Sequence, residues 1–224
     1  MPDSAQPTVI TPELMGSPCW CWSVVGRTAG GVCVQAFLLS LLFGLAWVIY
    51  FARRDRHPEP VPRLLFTFIA GGLLVTPAAF IELPLRNWIS GELDRAAAAA
   101  LLVVAPVEEL AKAIASYGAA LHTRDTDEPA DYYIYVVVAA FGFATLENVL
   151  YTRMWGMAAL PLRAGITSLA HASFSAWLSY GWVRGSVMLG MMLAIIAHGV
   201  YDILLFAGGL SALAALLVVA VGLA

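Results

Sequence analysis

The chain has 224 residues, 61% of them hydrophobic and only 12% charged, with a mean hydropathy of +0.81. Water-soluble domains average nearer half apolar and about a quarter charged, so a soluble fold would strand too much apolar surface in water. Net charge is −3 and no basic run exceeds Arg53-Arg54-Asp55-Arg56, which gives nucleic acid no electrostatic footprint.

The apolar excess arrives in blocks of about 20 residues, the length that crosses a hydrocarbon core of about 30 Å at 1.5 Å per residue. The fold class that follows is all-α, a polytopic transmembrane helical bundle of about seven spans. Residues 1–28 read as a polar, proline-containing N-terminal arm and 29–224 as one transmembrane domain. No positive segment precedes the first apolar block, so a cleaved signal peptide is not expected. Cys19, Cys21 and Cys33 form neither a disulfide staple nor a zinc knuckle by spacing.

In chain order, the first span runs over 31–51 and ends in a charged, proline-closed loop. A second covers 64–83, with a polar loop expected over 85–95. The third covers 96–121, followed by an acidic loop, and the fourth runs over 132–151. The fifth covers 160–182 and the sixth 187–206. After Gly208-Gly209 a short seventh runs to the end. The arginines of alternate loops divide six against five. The dense loop at Arg53, Arg54, Arg56 and Arg63 tips the orientation to N-terminus outside and that loop cytoplasmic.

Ionisable side chains inside a bilayer are costly, face the bundle interior, and mark function. The third span carries Glu108, Glu109 and Lys112, the fourth Glu147 and Asn148, the fifth His171, and the sixth His198 and Asp202. Counting rise along alternating helices puts most of them in one half of the membrane, within roughly 12 Å in depth. Glu108 and Lys112 are i, i+4, so the lysine can pair with one carboxylate of the Glu108-Glu109 couple. Two adjacent carboxylates in low dielectric do not both ionise cheaply, which suits acid–base work. His198 and Asp202 are also i, i+4, which lets Asp202 orient the imidazole. Singly, each has a structural reading as an ion pair, a helix–helix hydrogen bond or a network cap. Asn148 reads as helix glue, Trp155, Trp177 and Trp182 as interfacial anchors, and Glu82 as an end-of-span residue outside the set.

Several intramembrane hydrolases are excluded by motif. The chain has no His-Glu-x-x-His, no Gly-x-Ser-Gly element with a partnering histidine, and no Gly-x-Gly-Asp. What remains, in order, is Glu108-Glu109-Leu110-Ala111-Lys112, Asp127-Glu128-Pro129-Ala130-Asp131, Phe141-Gly142-Phe143 leading to Glu147-Asn148, His171, and His198-Gly199-Val200-Tyr201-Asp202. Upstream stands Tyr50-Phe51-Ala52-Arg53-Arg54-Asp55-Arg56-His57-Pro58-Glu59-Pro60.

In this order the motifs resemble the PrsW family of intramembrane proteases, within the wider group that includes the CAAX prenyl endopeptidases, over about residues 42–205. The start of the fourth span, Asp131-Tyr132-Tyr133-Ile134-Tyr135, departs from the glycine-rich start common in the family. The resemblance implies hydrolysis of a peptide bond in a membrane-anchored protein such as an anti-sigma factor, in a bacterial cell membrane. It implies a site drawn from Glu108, Glu109, Lys112, Glu147, His171, His198 and Asp202. Glu108 would activate water, Glu109 and Lys112 would tune it, and Asp202 would orient His198. Zinc or another divalent metal on Glu147, His171 and His198 is one option by ligand type. A metal-free site in which the histidines stabilise the oxyanion is the other. A proton- or ion-coupled transporter and a non-proteolytic scaffold are the competing functions. The transporter is weakened because no pair of broken helices stands in matching positions.

Overall fold

A computed structural model describes residues 27–89, 92–124 and 126–223, which leaves most of the N-terminal arm, with Cys19 and Cys21, outside the described residues. All regular structure among these residues is helical. Helix α1 (Arg27–Ala52) leads into α2 (Val61–Leu73) and α3 (Val75–Glu82), which form one rod bent at Leu74. The short α4 (Leu85–Ile89) occupies half of the segment read as a loop.

The next rod is α5 (Leu93–Ala99), a π turn (Ala100–Val104), α6 (Ala105–Ser116) and a second π turn (Tyr117–Leu121). Pro106 explains the first π turn. Proline cannot donate to the carbonyl four residues back and its ring crowds it, so the preceding turn widens. The Ala105 N–H accordingly reaches the Ala100 carbonyl, five residues back.

Helix α7 (Pro129–Trp155) starts on a capping box, with Asp131 Oδ2 accepting the Asp127 and Glu128 N–H groups. Proline at its first position needs no N–H, and Gly156 ends it at φ 81°. Then come α8 (Leu160–Leu162), a third π turn (Arg163–Thr167) and α9 (Ser168–Val183). They are followed by α10 (Val187–Ala207) and α11 (Gly209–Leu223).

Four helical stretches, 33–52, 61–82, 129–154 and 187–207, are long and apolar enough to cross a membrane. The exposed side chains of the outer rods are mostly apolar, including Leu42, Leu65, Phe80, Leu102, Met188 and Leu217. This is the pattern of a helical bundle solvated by lipid, and the chain is an integral membrane protein.

Helix α7 is the axle. Its most apolar stretch is 78% buried, against 22% for α1, and it packs on α1, α2, α6 and α9. Lipid gives two apolar helices little reason to associate, so close packing must hold them. Glycine supplies it where α2 crosses α7. A Cβ at Gly71 would fall on the Ala139 carbonyl, and one at Gly142 on the Phe68 carbonyl. The buried polar side chains of α6, α7, α9 and α10, Glu108, Glu109, Lys112, Glu147, His171 and His198 among them, turn into this core.

Candidate active site

Four helices deliver the site. Glu108, Glu109 and Lys112 project from α6, one turn beyond the π turn at Ala100–Val104. Glu147 and Asn148 come from α7, His171 from α9, and His198 and Asp202 from α10. Glu108 is 4% exposed, and Glu109 and Lys112 not at all.

Buried ions persist only when paired and hydrogen-bonded. Lys112 Nζ lies 2.7 Å from Glu109 Oε1 and 3.7 Å from Glu108 Oε2, so its partner is Glu109. Glu109 is fully engaged. Its Oε1 also meets His198 Nδ1 at 2.9 Å, and Oε2 accepts from Ser175 Oγ at 2.9 Å. Glu147 Oε2 is shared between Arg163 Nη2 at 2.9 Å and His171 Nε2 at 3.1 Å.

These contacts fix both imidazoles. An ammonium only donates, and Lys112 Nζ stands 2.9 Å from His171 Nδ1, so Nδ1 is the acceptor and Nε2–H donates to Glu147. His198 donates Nδ1–H to Glu109, which leaves the lone pair on Nε2. The His198 Nε2 lone pair is free, that of His171 Nδ1 is taken by Lys112, and both nitrogens flank one atom. Glu108 Oε2 lies 3.7 Å from His171 Nδ1 and 3.8 Å from His198 Nε2, and it is buried without a hydrogen bond. Each histidine is thus backed by a carboxylate, and each carboxylate by a cation: His171, Glu147, Arg163 on one side, His198, Glu109, Lys112 on the other. Phe174 stacks on His198, with ring centroids 4.9 Å apart, and Lys112 lies over Phe143.

The chain matches the model of the PrsW family of intramembrane metalloproteases over residues 59–224. Such a match covers most of the chain. It belongs to the PrsW family. The PrsW protease of Geobacillus kaustophilus is 33% identical over 174 residues, which span 73% of this chain and 76% of that protein. The PrsW protease of Bacillus subtilis is 29% identical over 73% of this chain and 79% of its own. That of Oceanobacillus iheyensis is 26% identical over 72% and 78%. No solved structure matches. As a PrsW-family chain it is an intramembrane peptidase, which favours hydrolysis over transport or scaffolding as the use of its buried charges.

All seven residues singled out in the sequence meet in this layer, though two hold other stations than their spacing suggested. Of the two carboxylates open to it, Lys112 pairs with Glu109. The orienting carboxylate of His198 is Glu109, because Asp202 Oδ2 stands 3.6 Å off, on the Nε2 side. Glu147 is committed to Arg163 and His171, and the set whose ligand atoms lie within 4.8 Å of one another is Glu108, His171 and His198. A divalent ion fits that set in its chemistry. It offers one carboxylate oxygen without a hydrogen bond, the free lone pair of His198 Nε2, and that of His171 Nδ1 once Lys112 releases it. Four carboxylates, Glu108, Glu109, Glu147 and Asp202, also face two cations, Lys112 and Arg163, among the described residues. Asn148 binds Ser168 Oγ and Arg163 Nε, joining α7 to the start of α9.

Two participants escaped sequence reasoning. Ser175 was findable, because it sits four residues after His171 and shares its face. Arg163 read as a loop charge; its place in the site depends on the π turn that begins with it.

Proposed function

We propose that this peptidase cleaves a peptide bond of a membrane-anchored protein, an anti-sigma factor by the family analogy, with water activated by Glu108. The enzyme would act as a multi-pass protein of a bacterial cell membrane, with the loop at Arg53–Arg63 cytoplasmic. The observation that carries this reading is the buried, unbonded Oε2 of Glu108, flanked by His198 Nε2 at 3.8 Å and His171 Nδ1 at 3.7 Å. A water at that point has two acceptors, Glu108 Oε2 and His198 Nε2, for its two hydrogens.

Glu108 takes a proton from the water as its oxygen adds to the scissile carbonyl, and returns that proton to the departing amine nitrogen. Glu109 is too fully hydrogen-bonded for this role; it holds His198 and anchors Lys112. Lys112 puts a fixed positive charge beside the developing oxyanion in a water-poor setting, where charge counts most. His198, with its Nε2 lone pair beside Glu108, aims the nucleophile, and His171 holds Lys112 in place. The residues that would hold a divalent ion are Glu108, His171 and His198. When bound, such an ion supplies Lewis-acid polarisation of the carbonyl and a more acidic water.

The test is cleavage of a single-pass substrate by purified protein in nanodiscs, comparing the unaltered enzyme with Glu108→Gln and His198→Ala. Both variants should fold and lose turnover, and normal cleavage by both would sink the assignment. Metal analysis with a chelator arm separates the two occupancies: loss of activity restored by one divalent ion supports ligation by the Glu108 set. Full activity in metal-free protein supports water alone.

A further inference from the structure

Arg163 is the one cation of the site that the proposed mechanism leaves without a task. It opens the π turn Arg163–Thr167, where the Ser168 N–H reaches back five residues to the Arg163 carbonyl. From there its planar fork engages α7 along a single face. Nη2 donates to Glu147 Oε2 at 2.9 Å, Nε donates to Asn148 Oδ1 at 3.2 Å, and the guanidinium lies 3.7 Å over the Tyr151 ring. Asn148 Nδ2 then donates to Ser168 Oγ, and Ser168 Oγ to the Arg163 carbonyl, which closes a ring of contacts.

An arginine that merely tied two helices together would need none of the reacting groups. Here the oxygen it binds is the oxygen that accepts His171 Nε2–H, at 3.1 Å. Two donors converge on one carboxylate oxygen, so the position of Glu147 is set by Arg163 and read by His171. Only a rigid fork spans Glu147 and Asn148 at once; a lysine ammonium is a point charge on a flexible stem.

We infer that Arg163 is a positioning residue of the peptidase site: it holds Glu147 on His171 Nε2–H and so keeps His171 Nδ1 unprotonated, beside Lys112 and Glu108. This rests on the reading of His171 and Glu108 as site residues. Removing the guanidinium leaves a buried Glu147 without its cation. The carboxylate then swings toward Lys112 and draws its ammonium off His171 Nδ1, or takes a proton, and His171 loses the two contacts that select its tautomer.

The experiment labels the imidazole nitrogens with nitrogen-15 and reads their shifts in nanodiscs, a tractable task because the chain has only 4 histidines. In the unaltered protein His171 should show a protonated Nε2 and a bare Nδ1. In Arg163→Gln this pattern should collapse to mixed or Nδ1-protonated forms while His198 keeps its own. Turnover of a single-pass substrate should fall about 10–100-fold in kcat with KM little changed, the range for residues that orient ligands. Glu147→Ala removes the acceptor itself and serves if Arg163→Gln does not fold. An unchanged His171 tautomer in whichever variant folds overturns the inference, whatever happens to activity. The tautomer is read without substrate or added metal. A failure of Glu108 as water activator, seen as cleavage by Glu108→Gln, is therefore a separate result.

Discussion

The carboxylates around Glu108 and those around Glu59 are both buried, yet their charge is relieved in opposite ways. In the membrane layer Glu109 and Glu147 are each matched by a cation and an imidazole. At the loop face Asp55, Glu59 and Asp131 gather their oxygens within 4.8 Å, and the help they receive comes from neutral donors. Tyr135 Oη donates to Glu59, backbone N–H groups to Asp131, and the His57 N–H to Asp55. Nearby, Arg54 lies over the Tyr50 ring and His57 pairs with Glu128. In the first cluster Glu109 and Glu147 keep fixed charges in low dielectric because each has a partner of opposite sign. In the second, Glu59 favours its protonated form. Burial, with Asp131 and Asp55 beside it, raises Glu59 from an ordinary 4.5 to about 7.

The comparison breaks most easily on turnover. Glu108→Gln should cut cleavage by about 10²–10⁴-fold, the range for loss of a general base. Glu59→Gln should leave it within a few fold, because Asp131 and Glu147 lie sixteen residues apart on α7, about 24 Å of helix. Equal losses in a nanodisc cleavage assay would mean that the two clusters act as one.

Stability comes next. Lys112→Met removes the cation shared by Glu109 and His171 and leaves a buried carboxylate short of charge, a change worth about 3–5 kcal/mol. Arg54→Met at the loop face loses one ring contact and should cost less than about 1 kcal/mol. Unfolding of detergent-solubilised protein by SDS titration ranks the two, and the reverse order would contradict the pairing scheme. Gly142→Ala is smaller than Lys112→Met but touches both clusters, since α7 carries Asp131 near one end and Glu147 near the other. Its methyl meets the Phe68 carbonyl, and overpacking of this kind costs about 1–3 kcal/mol.

How far the sequence reached differs between the two clusters. The spans follow from apolar blocks and their proline and glycine stops, and the helices found are those blocks lengthened by a few residues. The exception is α4, since Leu85–Ile89 is too short to carry a periodic signal. The membrane cluster was legible because Glu, Lys and His are expensive among alanine and valine, so each stands out alone. Its wiring was not. Helix spacing says that Lys112 shares a face with Glu108, but whether it turns to Glu108 or Glu109 depends on His198 arriving from α10. Arg163 was hidden by a π turn that Pro161 and Gly165 do not announce. Glu59 was hidden for the opposite reason. A carboxylate in a loop reads as solvated, and only the docking of that loop on α7 buries it beneath Tyr135.

That burial gives the last and smallest expected effect, and its sign is unusual for a carboxylate. The folded state holds the Glu59 proton up to about pH 7, whereas the unfolded chain releases it near 4.5. Between those values the folded protein binds more protons, so this group's contribution to stability is fully present below about 4.5. It declines as pH rises toward 7 and is flat above. Carboxylates held by cations, such as those of the membrane layer, push the other way, and total stability mixes the two. The difference between the unaltered protein and Glu59→Gln isolates the loop. Glutamine keeps an acceptor for Tyr135 and a donor for Asp131 while removing the charge. At pH 5 the two should melt together; at pH 8 Glu59→Gln should melt on the order of a few degrees higher. If their melting temperatures run parallel across that range, no proton is held at Glu59, and the loop cluster must be relieved by some partner other than a proton.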